Sequence, residues 1–460
     1  MLAAFQGELR LQIPIQCQSG ASRLYSKALL RAAKAIRQIR NAAEFGVTLP
    51  DAALHNIDFS VIMRRLREKR TIISPADGHA GSAATGAHVY QGRGVFTSPT
   101  TVVVGGAELH FRNAVVATGG RPLIPSSIPG LESAPYTTNE ILFNLETVPP
   151  RMVVIGAGVI ALEMAQAFSA FGSEVTVLQR TETLFASKLG DPEAAEILQK
   201  ELENNGVRFV TASPSKVETL RNRDPNDTSV HPLLRVCLEP KNGDAVFDVE
   251  CECLLVAAGR VANVENLGLE AAEVQYELGK GIVVNDKGQS VSNPNVYAAG
   301  DCVAGVPRLT HMSGEMAKLV VQNSLFDDDW KLSSLVVPAV MYTEPEYATV
   351  GLSSKEMAVA NGVEVDTYRA GLEHNDRAIL ESSNVGFCKI FCKVGTDEIV
   401  GATIVAERAG EMINEVSLAI KNNIGLRAIG RNIHPYPSMG EAVMGCGVQY
   451  INANWEKLSG

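Results

Sequence analysis

An alternation of apolar runs and polar turns in the middle of the chain predicts a strand, a helix and a second strand. Met152–Ile155 is a run of four apolar residues, which is typical of a buried parallel strand. Val159–Phe171 has apolar residues at helical spacing, and Glu174–Leu178 reads as another buried strand. Strand, turn, helix and strand within about 30 residues predict a βαβ unit.

The turn inside this unit carries candidate chemistry. Gly156 and Gly158 permit a tight turn and let the backbone approach a pyrophosphate, which would lie at the helix N-terminus. Ala161 occupies the third position of the fingerprint and still permits close packing of helix on strand. The pattern therefore predicts a dinucleotide site. A glycine turn without a ligand is the alternative.

The end of the second strand indicates which nicotinamide cofactor this site prefers. Sites for NAD place an acidic residue about 20 residues beyond the glycines, on the ribose hydroxyls. Here Gln179 and Arg180 stand at that place. Since no acid would repel a 2′-phosphate and Arg180 could pair with it, the sequence favours NADP, with NAD as the alternative.

Three further segments resemble parts of nucleotide-binding sheets. Thr118 and Gly119 follow a strand-like run, and Gly259 with Arg260 closes a near copy of it. The third segment ends at Gly300 and Asp301, so the carboxylate would lie at the carboxyl end of a strand, where open α/β sheets bind ligands. We expect Asp301 to accept hydrogen bonds from a sugar or ribityl hydroxyl. A capping role is the alternative.

Composition and charge narrow the class of protein. The 460 residues predict two to four domains, and a formal net charge of −10 disfavours nucleic acid and anionic membranes as partners. Glu163 interrupts the best apolar run, so no transmembrane helix is expected, and Glu8 and Arg10 argue against a secretory signal peptide. The eight dispersed cysteines predict buried free thiols in a reducing, cytoplasmic compartment.

A basic stretch leaves the location open. Residues 23–41 carry six basic side chains and no acid, with apolar residues at helical spacing. This pattern is compatible with an organelle targeting segment or with an internal helix. An organelle location also stays possible if a targeting segment precedes Met1.

Eight short motifs, spread between Ser26 and about Tyr450, suggest a known family. They are Ser26-Lys-Ala-Leu-Leu, Ala117-Thr-Gly, Gly156-Ala-Gly-Val-Ile-Ala-Leu-Glu, Ala258-Gly-Arg, Ala299-Gly-Asp, Leu309-Thr-His-Met, Tyr342-Thr-Glu-Pro-Glu with Val350-Gly, and His434-Pro-Tyr-Pro-Ser-Met-Gly-Glu. With these motifs in this order, the chain resembles the class I pyridine nucleotide-disulphide oxidoreductases. That flavoprotein family includes dihydrolipoamide dehydrogenase, glutathione reductase and mercuric reductase. The residues of the motifs resemble mercuric reductase most.

The resemblance implies an α/β architecture with two Rossmann-like three-layer domains, one for FAD and one for NAD(P), and an α+β dimerisation domain. The expected boundaries are 1–147 and 271–335 for the two parts of the FAD domain, 148–270 for the NAD(P) domain and 336–460 for dimerisation. It further implies FAD and NADP or NAD as cofactors, a homodimer, and hydride transfer to a small-molecule, thiol or metal-ion acceptor.

The resemblance also assigns residues to the flavin. Lys27 and Glu163 correspond to the paired charges beside the flavin ring, where a cation would polarise it. Thr310 and His311 begin a helix whose positive N-terminus would face the pyrimidine end of the ring. An ordinary surface charge is the alternative for Lys27 and for Glu163.

Two departures from the family concern the N-terminal region. The family's N-terminal glycine fingerprint for FAD has no counterpart before Gly156, so we expect the first part of the FAD domain to be incomplete. The positions of the redox pair CxxxxC hold Gln18 and Arg23, and Cys17 lacks a partner five residues on. A dithiol relay is therefore not expected. A dimeric NAD(P)-binding scaffold that does not retain FAD, or a truncated gene product, is the alternative to an enzyme.

The C-terminal motif also differs from the family pattern. The family's acid–base histidine aligns with Tyr436, whereas His434 stands two residues earlier and Glu441 occupies the position of the partner carboxylate. A tyrosine is a poor base at neutral pH, because its pKa lies near 10. For His434, a solvated loop position and a role at the flavin face of a dimer both stay open.

Overall fold

The structure is a computed structural model and describes residues 2–6, 8–12, 18–50, 56–186, 190–224, 227, 230–240 and 247–456. Up to residue 122 the strands are β1 (Leu2–Gln6), β2 (Glu8–Gln12), β3 (His88–Tyr90), β4 (Val95–Ser98), β5 (Thr101–Val104), β6 (Ala107–His110), β7 (Asn113–Val116) and β8 (Gly120–Pro122). The helices of this region are α1 (Gln18–Arg40), α2 (Phe59–Asp77) and α3 (His79–Ala84).

The middle of the chain contains the predicted βαβ unit and the strands that extend it. Its strands are β9 (Arg151–Ile155), β10 (Glu174–Gln179), β11 (Val207–Arg221), β12 (Leu233–Pro240), β13 (Phe247–Cys251), β14 (Cys253–Val256) and β15 (Arg260–Ala262). Its helices are α4 (Val159–Phe171) and α5 (Pro192–Asn204).

The remaining elements follow in two groups. Between residues 276 and 325 lie β16 (Tyr276–Glu277), β17 (Gly281–Ile282), β18 (Val296–Ala298) and α6 (Thr310–Leu325). The C-terminal region contains β19 (Ala339–Met341), β20 (Glu346–Gly351), α7 (Lys355–Ala360), β21 (Val365–Gly371), α8 (Asp376–Leu380), β22 (Phe387–Lys393), β23 (Ile399–Ala406), α9 (Ala409–Lys421), α10 (Leu426–Arg431) and α11 (Glu441–Ala453).

The middle sheet confirms the predicted strand, turn, helix and strand. Its order is β13-β12-β11-β10-β9-β14, in which β9 pairs in parallel with both β10 and β14. Helix α4 is apolar almost all round, and Leu162, Met164 and Phe168 are fully buried. A helix without a polar face has to be covered on all sides, so α4 lies between this sheet and other parts of the molecule.

A second sheet joins the N-terminal strands to later ones. Its order is β18-β7-β1-β2-β3, with β18 parallel to β7. Strand β1 pairs antiparallel with both β7 and β2. A two-stranded antiparallel hairpin therefore lies beside β7, and the helix that follows it is α1.

The C-terminal sheet is antiparallel throughout, in the order β19-β20-β23-β22-β21. Helices α9 and α11 pack on it. Met341, Phe387 and Val405 belong to the same buried cluster as the apolar residues of α4. The C-terminal sheet thus packs directly against the middle of the chain, which places residues from distant segments next to α4.

Candidate active site

The glycine turn before α4 combines a conformational need with open space. Gly156 has a φ of +107°, and a Cβ added there would lie 2.6 Å from the carbonyl oxygen of Ala257, so only glycine fits. Gly158 is the N-cap of α4, and an added Cβ would meet no described atom within 4 Å. Ala161 is fully buried. Because the first N–H groups of a helix lack partners within it, this open face suits a pyrophosphate.

The end of β10 presents an unsatisfied polar atom. Gln179 is buried, and its Nε2 donates a hydrogen bond to the carbonyl oxygen of Glu182 at 3.1 Å. Its Oε1 accepts no hydrogen bond within the described part of the chain. A buried acceptor is costly unless a partner reaches it, and a ribose hydroxyl is such a partner. Arg180 follows and is exposed.

Lys27 and Glu163 form an ion pair that joins α1 to α4. The Nζ of Lys27 lies 2.6 and 2.7 Å from the two carboxylate oxygens of Glu163. The side chain of Glu163 is only 1% exposed, which excludes the alternative of an ordinary helix-surface charge at this position. The pairing that the resemblance implied is thus present.

Tyr342 contacts both members of this ion pair, and the sequence alone did not indicate that role. Its backbone N–H donates to Glu163 Oε1 at 3.0 Å, and its ring centroid lies 4.4 Å from the Nζ of Lys27. The ring face adds a cation–π contact to the ion pair. The motif that contains Tyr342 was recognised from the sequence, but the contact depends on the packing of the C-terminal sheet against α4.

The turns that follow β7 and β18 come together in the structure, beside the residue that follows the turn after β14. Arg260 Nε lies 3.2 Å from Asp301 Oδ2, and the guanidinium also donates to the carbonyl oxygen of Gly120 at 2.6 Å. Thr118 donates its hydroxyl to the carbonyl oxygen of Asn263 at 2.6 Å. Asp301 is therefore held by Arg260, a pairing that the sequence did not reveal.

Glycines shape the same turns. Gly119, Gly259 and Gly300 have φ values of +71°, +143° and +82°, which explains the residue type at each position. At the start of α6, Thr310 is the first helical residue, and the ring of His311 reaches the carbonyl oxygen of Pro338 at 2.7 Å. The helix predicted from Thr310 is thus present, with His311 directed to the segment before β19.

The N-terminal region supplies only part of a flavin site. Among the described residues before α2, no glycine turn links a strand to a helix, and the β1–β2 hairpin lies beside β7 instead. Gln18 and Arg23 both belong to α1, whereas Cys17 lies outside the described residues. The groups expected around the flavin ring fit that cofactor, and the pyrophosphate donors expected at the N-terminus are absent from the described part.

The other cysteines do not replace the missing dithiol. All seven cysteines of the described region are free, and six of them are buried, as predicted. Burial raises the pKa of Cys251 and of Cys253 to about 12. A thiol with such a pKa stays protonated at neutral pH and is a poor nucleophile.

The C-terminal candidates do not form one group. The side chain of His434 is only 7% exposed and lies 3.0 Å from a carboxylate oxygen of Glu415, so the imidazole is not a solvated loop side chain. Tyr436 is exposed and donates its hydroxyl to Asp376 at 2.6 Å, which raises the pKa of the phenol. Glu441 accepts the backbone N–H of Ser438 at 2.9 Å. Each of the three side chains therefore has a separate partner.

Comparison with known proteins defines the class. Residues 20–317 match the family model of the pyridine nucleotide-disulphide oxidoreductases, and residues 337–445 match the dimerisation domain of that family. The chain is 30% identical over 423 residues to a dihydrolipoyl dehydrogenase of Chlamydia muridarum, which covers 90% of this chain and 85% of the relative. The chain belongs to the pyridine nucleotide-disulphide oxidoreductase family.

A mercuric reductase of Lysinibacillus sphaericus is 34% identical over 370 residues, which is 80% of this chain and 64% of that protein. The chain spans less than two thirds of the length of the mercuric reductases that it matches.

Solved structures show the same fold. The HOCl-induced flavoprotein disulfide reductase RclA of Escherichia coli has a TM-score of 0.78 at 21% identity, covering 94% of this chain and 92% of its own. LpdA of Mycobacterium tuberculosis has a TM-score of 0.79 at 23% identity, covering 96% and 94%. The predicted fold class, an α/β flavoprotein fold with two nucleotide-binding domains and a dimerisation domain, is confirmed. In the described part of the chain, no helix is long and apolar enough to cross a membrane.

Proposed function

We propose that this chain is an NAD(P)H-dependent flavoprotein oxidoreductase that moves hydride from a nicotinamide cofactor to FAD and on to an acceptor. Helix α4 supports this proposal, because it begins at the open glycine turn and holds the buried Glu163 that pairs with Lys27. Gly158 would hold the pyrophosphate of the nucleotide at the helix N-terminus. Lys27 and Glu163 would lie beside the reacting rings.

The contribution of the chain to this reaction is positioning and charge. A bound flavin supplies the chemistry of accepting a hydride and passing electrons on. Glu163 and the ring of Tyr342 hold the ammonium of Lys27 in one place, so its charge is oriented before any ligand binds. An oriented cation stabilises developing negative charge more than a mobile one does.

Three finer assignments belong to the same proposal. Gln179 Oε1 would accept a hydrogen bond from a ribose hydroxyl of either nucleotide, whereas Arg180 would pair with the 2′-phosphate that only NADP carries, which supports NADP over NAD. The acceptor would be a small molecule, a thiol or a metal ion, and the relatives named mercuric reductase support a metal ion. We also propose that Tyr436, His434 and Glu441 act at the site of a homodimer.

One observation favours a second function. The described N-terminal residues form a hairpin and not a strand–turn–helix unit, so the donors that would hold the pyrophosphate of FAD are absent from the described region. A chain that binds NAD(P)H but retains FAD weakly would then act as a dimeric nucleotide-binding scaffold. The two functions differ in flavin content and in flavin reduction.

The deciding experiment is a flavin and nucleotide titration of the purified chain. We expect little flavin to copurify, binding of added FAD to bring up the yellow absorption band in the protein fraction, and NADPH to bleach it without oxygen. Binding of NADPH with no flavin uptake at saturating FAD would instead favour the scaffold. No binding of NADPH or of NADH would contradict both functions.

A matched pair of variants tests the role of Lys27. Lys27→Met should slow the bleaching of bound flavin by NADPH by at least about tenfold, because the oriented charge is lost. Arg31→Met, one turn further along the same helix at an exposed position, should leave the rate unchanged. Equal rates in both variants would remove Lys27 from the reaction.

A further inference from the structure

A buried ion pair connects the nucleotide-binding region to the C-terminal sheet. Asp191 caps α5, where its Oδ1 accepts the backbone N–H of Ala194 at 3.1 Å. Its Oδ2 lies 2.7 Å from the Nζ of Lys389, which stands on β22. The side chains are 4% and 11% exposed. A buried lysine is unusual unless it is paired, and here Asp191 compensates the charge of Lys389.

Two charged neighbours and one aromatic neighbour surround this ion pair. Glu193 lies 3.0 Å from Lys389 Nζ and 2.7 Å from the guanidinium of Arg369 on β21. The ring of Phe387 faces both cations, with its centroid 4.5 Å from Lys389 Nζ and 5.2 Å from the Arg369 guanidinium carbon. Two cations and two carboxylates thus lie together beside one aromatic ring, and Glu373 adds a further carboxylate 3.6 Å from Arg369. We call the group of Asp191, Glu193, Arg369 and Lys389 the interdomain joint.

The segment before the joint is held at a second point. Phe185 adopts a left-handed backbone with a φ of +59°, which costs about 1 kcal/mol or more in a residue other than glycine and persists only where the surroundings impose it. Its ring stacks on that of Tyr347 of β20, with centroids 5.0 Å apart and planes 4° from parallel. A Cβ on Gly190 would lie 2.7 Å from Phe185 Cβ, so Gly190 itself lies close against Phe185.

The segment that these contacts hold begins at the proposed ribose site. Gln179 is the last residue of β10, Arg180 follows, and Gln179 Nε2 donates to the carbonyl oxygen of Glu182. Only five positions separate Arg180 from Phe185. The placement of Arg180 therefore depends on β10 at one end and on the C-terminal sheet at the other.

We propose that the interdomain joint, with Lys389 as its positioning residue, holds residues 180–186 in the place that recognises the 2′-phosphate, and so sets the preference for NADPH over NADH. This inference rests on the proposed NAD(P) site. NADH lacks the 2′-phosphate and is held mainly through its pyrophosphate at Gly158. Loosening the interdomain joint therefore weakens the binding of NADPH and leaves the binding of NADH almost unchanged.

The test compares the dissociation constants of NADPH and NADH in equilibrium titrations of the full chain. Lys389→Met removes the cation, and the double variant Lys389→Met with Asp191→Asn also removes the buried charge that would be left, while asparagine can still cap α5. Lys393→Met, at an exposed position of the same strand, is the control. Thermal unfolding of each variant, followed by circular dichroism, reports whether the fold is kept.

We expect the double variant to raise the Kd of NADPH by about tenfold and that of NADH by less than about twofold. Equally weaker binding of both nucleotides would mean that the joint has a merely structural role. Unchanged dissociation constants would mean that it has no role. Either result overturns the inference. A wild-type chain that binds both nucleotides equally overturns it too. Failure of the wild-type chain to bind either nucleotide identifies a failure of the proposed function itself.

Discussion

Glu346 shows how the fold changes the chemistry of a single residue. It is partly buried at the start of β20 and accepts the backbone N–H of Gly410 at 2.8 Å. Burial and the nearby carboxylates of Glu411 and Glu407 raise its pKa from 4.5 to about 7, although Lys34 acts in the opposite direction. The sequence marks Glu346 only as part of a motif, because its neighbours come from α1 and α9.

The raised pKa of Glu346 predicts a pH-dependent stability. The folded state favours the protonated carboxyl group, so its stabilisation is complete below about pH 4.5 and is lost as the pH rises through about 7. Relative to Glu346→Gln, the wild type should therefore lose on the order of 3 kcal/mol of unfolding free energy over that range. Urea unfolding at several pH values measures the difference.

Glu356→Gln is the matched control for this measurement, because Glu356 is exposed in the first turn of α7. The free energy of unfolding of Glu356→Gln should show the same pH dependence as that of the wild type. If Glu346→Gln does the same, the carboxyl group of Glu346 does not titrate in the folded state near neutral pH.

At the scale of elements, the turn before α4 contains one glycine that the backbone requires and one that it does not require. Gly156 needs its positive φ and would collide with Ala257, whereas Gly158 has an ordinary φ of −85° and open space around it. Both glycines belong to one fingerprint in the sequence. Only the coordinates distinguish the space that the protein fills from the space that a ligand could fill.

This difference predicts opposite phenotypes for two alanine variants. Gly158→Ala should keep the melting temperature close to the wild type and weaken NADPH binding by about tenfold or more, since the methyl group points to the phosphate position. Gly156→Ala should lower stability by about 1–3 kcal/mol through backbone strain. Thermal unfolding and nucleotide titration of both variants check this. Unimpaired NADPH binding by Gly158→Ala would show that the nucleotide does not use this turn.

At the scale of the whole molecule, the C-terminal region exposes apolar side chains that a monomer would leave in water. Ile433 is 91% exposed, Tyr436 is 73% exposed and Leu418 is 62% exposed. All three lie within residues 337–445, which match the dimerisation domain of the family. Exposed apolar residues gathered in one region are typical of an association surface.

We therefore predict a dimer in solution that depends on this region. Ile433→Asp should shift the protein towards the monomer, because a charge would be buried without a partner on association. Leu278→Asp changes another exposed apolar residue, which lies outside the region, and should remain dimeric. Light scattering after size-exclusion chromatography distinguishes these outcomes. A monomeric wild type, or a dimeric Ile433→Asp variant, would contradict the prediction.

The sequence predicted the local elements of the site well and its long-range contacts only through resemblance. The strand, glycine turn and helix around Gly156 follow from apolar spacing and residue type, which act over a few neighbours. The pairing of Lys27 with Glu163 came from the family likeness, and that of Arg260 with Asp301 was missed. His434 was expected either in solvent or at a flavin face; its ring lies against Glu415, and the role at a flavin stays a prediction.

By itself, the sequence determined the family and the mid-chain glycine turn, because these follow from local periodicity and from short motifs. Only the tertiary structure decided which charges meet. Lys389 and Asp191 are 198 positions apart, and Lys27 and Glu163 are 136 apart. Such pairs depend on how the C-terminal sheet packs against α4 and α5. That packing results from many weak apolar contacts, and no single stretch of sequence specifies it.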